Sequence, residues 1–169
     1  MAVMRGSYRD VERPDKPWKY PYVAGVVDFG SNLSISVVKA DSRAVGYAIN
    51  PTLSISNTNK AVLGFIDKFC ENHGIEPTLQ GGDRTNRLVI SKRKDLHKFL
   101  LVVEPYLIAR SEAVELMLKQ LLPAFDNGKH SDKRGFLKMM EYVEQVREHT
   151  SKRGNPKYTT QFFRNEWNM

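Results

Sequence analysis

Paired strand signals joined by short turns, with amphipathic helical segments between and after them, predict an α+β fold: an antiparallel four-stranded sheet with helices on one face. Three features of the 169-residue chain carry this reading. Residues 33–37 alternate apolar Leu33, Ile35 and Val37 with Ser34 and Ser36, and TLSIS at 52–56 repeats the alternation. Gly81-Gly82-Asp83 marks a hairpin between two further strand-like runs, near 76–80 and 86–91. Apolar residues at helical spacing separate the two strand pairs and follow the second.

In chain order, residues 1–20 hold five cations, three acids, Pro14 and Pro17, which reads as an extended arm over 1–19. A first helix is expected from near Tyr20 or Pro21 to about Asp28, stopped by the turn cluster Gly30-Ser31-Asn32. After the first two strands, Asn57-Thr58-Asn59 offers caps for a second helix with apolar positions 62, 66, 69 and 70, closed by Gly74. Beyond the second hairpin, Leu96, Phe99, Leu100 and Val103 keep helical spacing up to Pro105. Two more amphipathic helices follow over 111–122 and 132–150, the last capped by Ser131. The order is α-β-β-α-β-β-α with further C-terminal helices, in a single domain with its core over 20–150 and a tail over 151–169.

With 41% apolar residues the chain can bury a real core. The formal charge of +7 and pI near 9.5 point to a polyanionic partner, with a merely basic soluble protein as the alternative. Cys70, the one cysteine, lies among apolar neighbours and reads as a small core residue. Histidines 73, 97, 130 and 149 show no metal-ligand spacing. No apolar run approaches the roughly 18 to 20 residues of a membrane span or resembles a secretion signal, so the expected location is intracellular, in the cytoplasm or an organelle matrix.

Within the first helix, Ala24-Gly25 stands mid-run, where Gly costs about 1 kcal/mol relative to Ala. The physical return is close approach, since a residue without Cβ lets a second helix backbone come nearer. On the sheet, Ser34, Ser36, Thr52, Ser54, Gln80 and Arg87 fall on the face opposite the helices. Such a face suits open solvent as easily as a DNA groove.

The stretch YVAGVVDFGSNLSI resembles the signature of the LAGLIDADG homing endonucleases, with Val23-Ala24-Gly25-Val26-Val27-Asp28 in place of L-A-G-L-I-D. Element order, the run SKRKDLHKFLLVVEPYLIARSEA and the trailing helices look like the single-motif branch of that family, over roughly residues 20–150. The resemblance implies that the motif helix packs against its twin across a twofold axis, placing Ala24, Gly25 and Asp28 at a homodimer interface. It further implies a saddle of two sheets laid in successive major grooves of double-stranded DNA, with Ser34, Ser36, Asn50, Thr52, Ser54, Gln80, Arg84, Thr85 and Arg87 as base or phosphate contacts. The implied activity is that of a homing-type, intron-encoded, site-specific DNA endonuclease, cutting by hydrolysis assisted by Mg2+ or another divalent metal.

In that family the metal-binding acid takes the eighth place of the motif, which here is Gly30, in an alignment that needs no gap. Asp28 is the substitute, although two residues along a helix is about 200° of rotation. It reaches the same place only if the chain turns early at Gly30-Ser31. Asn57 falls where the family places a polar residue near the metal, unless it caps the second helix, and Arg110 and Lys60 match basic residues near the cut. Two alternatives follow from Gly30: a relative that binds DNA without cutting, or an RNA splicing maturase.

Overall fold

The computed structural model describes residues 18–82, 85–150 and 156–169. Most of the expected arm, residues 1–17, and Arg84 lie outside the described residues.

Helix α1 (Lys19–Gly30) starts without a side-chain cap and turns Val23, Ala24 and Val27 into the core. It continues two residues beyond the expected Asp28, and Ser31 closes it by donating its hydroxyl to the Val27 carbonyl at 2.6 Å. Ser31 is already extended, so β1 (Ser31–Lys39) begins with no linker. Strand β2 (Tyr47–Asn57) returns antiparallel, from Ser31 opposite Ile55 to Lys39 opposite Tyr47. Gly46, at φ +74°, makes the turn between them.

Helix α2 (Lys60–Asn72) is capped by Asn59, whose side chain accepts from the Ala61 N–H at 2.9 Å, and it ends in His73 and the left-handed Gly74. Its inner face carries Leu63, Phe65, Ile66, Phe69 and Cys70. Burial pushes the Cys70 thiol up to about 12, as an inert core residue requires. Strands β3 (Thr78–Gln80) and β4 (Asn86–Ile90) complete a sheet of order β1-β2-β4-β3, antiparallel throughout.

Helix α3 (Arg93–Val103) buries Leu96, Phe99, Leu100 and Val103. The helix expected at 111–122 is longer: α4 (Ser111–Leu116) passes through a π turn (Met117–Leu121) into α5 (Leu122–Asp126). The reason is Pro123, which has no N–H to give; the wider turn, with the Leu122 N–H on the Met117 carbonyl, carries the chain past it. Helix α6 (Lys133–Glu148) is capped by Asp132, accepting from the Gly135 N–H at 2.8 Å, and not by Ser131. A carboxylate one residue later meets the third N–H of the helix, which is where an N-cap acceptor is needed.

The tail contains α7 (Thr160–Trp167), a helix that the sequence reading leaves as an unassigned aromatic stretch. Glu144 accepts from both the N–H and the hydroxyl of Thr160, at 2.8 and 2.7 Å, and so seats its start on α6. Phe163 is fully buried between Tyr47, Phe136 and Trp167, with ring centroids 4.9 to 5.2 Å away. The tail therefore belongs to the fold and covers the hairpin end of the sheet. Phe163→Ala should cost about 3 to 5 kcal/mol of unfolding free energy. Urea titration checks this: a midpoint unchanged from the parent protein would show that α7 is not part of the cooperative unit.

Candidate nucleic-acid interface

Directly opposed residues of an antiparallel pair share a face. Leu33, Ile35 and Val37 face inward with Ile49, Leu53 and Ile55, and the other face is left to Ser34 opposite Thr52, Ser36 opposite Asn50, and Asn32 opposite Ser54. The row continues across β2 and β4 to Ser56, Arg87 and Gln80, with the Arg87 Nε donating to the Ser56 hydroxyl at 3.4 Å. Thr85 is exposed just before β4. Ser34, Ser36, Asn50, Thr52, Ser54, Gln80 and Arg87 are thus brought onto one helix-free surface of hydroxyl, amide and guanidinium groups.

Three further members of that surface are missing from the contact residues drawn from the sequence: Asn32, Ser56 and Thr78, the last opposite Val89. Ser56 already closes the TLSIS alternation, and one step back from Leu33 along the first strand gives Asn32. Thr78 is different, because β3 is three residues long and fully exposed, so no alternation marks it.

At the foot of α1 the Asp28 carboxylate accepts two backbone N–H groups, from Ile108 at 2.9 Å and from Arg110 at 3.0 Å. The Arg110 guanidinium in turn donates to the carbonyls of Val27 at 3.0 Å and Ser31 at 2.5 Å. Both side chains are spent on tying the end of α1 to the loop after α3. Asn57 accepts from the Asn59 N–H at 2.8 Å, an Asx turn that leaves the helix cap to Asn59. It lines an open groove beside α1 together with Tyr22, Gly25, Val26, Phe29 and Gly30. Lys60 lies elsewhere, in a hollow with Leu63, Leu79, Gln80 and Asn86.

The outer face of α1 also corrects the expected interface. Ala24 is fully buried in the subunit's own core, and Asp28 faces its own chain's loop. Gly25 stays on the open side, where nothing lies within 4 Å of the place a Cβ would take. Phe29, 91% exposed, and Tyr22, 42% exposed, share that side at helical spacing.

The divalent metal implied by the motif does not fit these residues. Gly30 offers no side-chain ligand, and each oxygen of Asp28 already accepts from a backbone donor. Among the described residues no three His, Cys, Asp or Glu side chains are grouped to hold a metal ion.

No family model matches the sequence, and no curated protein matches it. Solved structures do. The homing endonuclease I-CvuI, in complex with its target in the presence of Ca, superposes with a TM-score of 0.75 at 18% identity, over 87% of this chain and 90% of that one. An archaeal intron-encoded homing endonuclease complexed with DNA gives 0.75 at 20% identity, over 89% and 97%. The group I intron-encoded homing endonuclease I-CeuI, complexed with DNA, gives 0.71 at 21% identity, over 93% and 83%. The chain has the LAGLIDADG homing endonuclease fold. Among the described residues no helix is long and apolar enough to cross a membrane.

Asp28→Asn keeps one acceptor oxygen and turns an NH2 group toward the other backbone donor. It should lower stability by about 1 to 3 kcal/mol. Chemical denaturation measures this directly, and a variant as stable as the parent would show that the carboxylate is not a structural tie.

Proposed function

We propose that two copies of this chain pair through the outer faces of their α1 helices and hold a long, near-twofold site on double-stranded DNA in their two sheets. This is sequence-specific recognition of the homing endonuclease type. The observation that carries it is Gly25. Among the described residues nothing requires a glycine there, because a Cβ would meet open space. A helix interior that gives up about 1 kcal/mol for no internal contact is explained by a backbone arriving from outside. Phe29 and Tyr22, exposed on the same side, supply the apolar surface that such a contact buries.

Two further features support the DNA reading. Among the described residues one sheet face is free of helices and lined with groups that hydrogen-bond base edges, while the chain carries +7 formal charge. The chain also spans 90% and 97% of two homing endonuclease chains, so one copy corresponds to one whole chain of each. A near-twofold target then calls for a second copy.

The likeness of fold favours a second reading, double-strand cleavage by a site-specific endonuclease. The foot of α1 argues against it, because Gly30 replaces the acid and Asp28 and Arg110 hold the helix end. In our reading the protein binds its site and leaves the phosphodiester bonds intact. The geometry gives no ground for preferring RNA.

Selecting tight duplexes from a randomised pool without metal, then adding Mg2+ and sequencing fragment ends, separates the two readings. Symmetric sites recovered uncut fit the binding reading; paired cuts a few base pairs apart would replace it with the endonuclease. Gly25→Leu should sediment as a monomer, and a stable dimer would remove the helix contact. Arg87→Ala should relax preference at one base pair per half-site by about 1 to 3 kcal/mol, read by competition among selected sequences. An unchanged ranking of those sequences would take Arg87 off the recognition surface.

A further inference from the structure

At the hairpin end of the sheet, away from α1, lies a separate cleft of about 260 Å3. It exists because β4 pairs with β2 only from Leu53 onward, leaving residues 47–52 without a strand on that side. The β1–β2 hairpin, the start of α3 and the corner between α5 and α6 close around the gap. Its working groups are Arg43, Asn50, Ser91, Arg93, Phe125 and His130. Lys92 is at the rim with its ammonium on Glu76 at 2.6 Å, and no carboxylate lines the cleft.

The two arginines are poised and unspent. The Arg93 guanidinium lies over the Phe125 ring, 4.5 Å from its centroid, and that ring is 5.5 Å from the His130 imidazole. Among the described residues neither Arg43 nor Arg93 places its side chain on an acceptor. His130 Nδ1 is shut off from solvent and has no hydrogen-bond partner there. A buried polar atom left without a partner calls for an explanation. Burial, and then the charges of Arg93 and Arg43, hold the imidazole below its ordinary pKa.

The corner is also prebuilt. Gly128 takes φ +69°, the Ser131 N–H donates to its carbonyl at 3.0 Å, and a Cβ on Gly135 would come within 2.3 Å of the Lys129 carbonyl. His130 is therefore held in place by the backbone geometry of this corner.

We propose that this cleft is a phosphate pocket, in which Arg43 and Arg93 flank one phosphate group, Ser91 and Asn50 add neutral donors, and the His130 ring forms the wall beside them. A tetrahedral dianion or a phosphodiester satisfies both guanidinium groups that the fold leaves idle. Under the DNA reading above, the occupant is a backbone phosphate near the outer end of each half-site, since Asn50 belongs to both the cleft and the recognition face. A free phosphoryl group offers the same chemistry.

The test is a titration of the full-length protein with inorganic phosphate at constant ionic strength, following the His130 imidazole by NMR. A saturable shift at His130, absent at His97, is expected, weakened about tenfold in Arg93→Gln and in Arg43→Gln, as for the loss of one charge-assisted hydrogen bond. Arg43 sits on an exposed hairpin, so its variant remains informative if Arg93→Gln disturbs the Phe125 stack. No saturable change at His130, equal shifts at all histidines, or full affinity in both variants would overturn the pocket. The occupant is settled on a selected duplex. If DNA abolishes the phosphate response and a single outer methylphosphonate weakens the parent but not Arg43→Gln, the occupant is a DNA phosphate. If the response survives in the complex, it is a free phosphoryl ligand. Absence of DNA binding would defeat the earlier reading and leave the phosphate titration standing.

Discussion

The handover from α1 to β1 rests on one small set of hydrogen bonds. Asp28 receives two backbone N–H groups of the loop after α3, and Arg110, in that same loop, returns its guanidinium to the carbonyls on either side of the turn. With no linker between helix and strand, this tie fixes where β1 begins and hence which of its side chains face inward. A slip of one residue would put Leu33, Ile35 and Val37 in water and the serines in the core. The polar sheet face is thus set in register by a carboxylate and a guanidinium that take no part in the face itself.

The same tie gives the aspartate at the sixth place of the motif a structural duty: it holds the loop after α3 with both carboxylate oxygens. The residue at the eighth place has no such structural duty; a glycine there leaves the helix end intact, with the nearest contact to an added Cβ an ordinary 3.7 Å from Val26. The two positions, two residues apart, thus carry different structural weight.

Much of the architecture was legible because it follows from local rules. The alternation in LSISV and TLSIS gave two strands and their faces, and the cap cluster before α2 fell within two residues of the true cap, Asn59. Less accessible was anything set by long-range packing. Ala24 and Gly25 look alike as a pair of small residues, yet the helix turns one into the core and the other to the outside, a distinction that depends on where α1 is seated. Helix α7 carries a local start signal, Thr159, whose hydroxyl accepts from the Phe162 N–H at 3.0 Å, but its seat on α6 depends on Glu144, sixteen residues before Thr160. Arg110 and Asp28 were singled out as chemical groups when their partners are backbone atoms some 80 residues away, which no local pattern announces.

A hydroxyl-radical footprint of the complex on its selected duplex, with stoichiometry from sedimentation, tests the central claim most directly. Two chains on one duplex, with two symmetric sets of protections in successive major grooves about a shared centre, is the expected result. One chain per duplex, or a footprint without twofold symmetry, would contradict it.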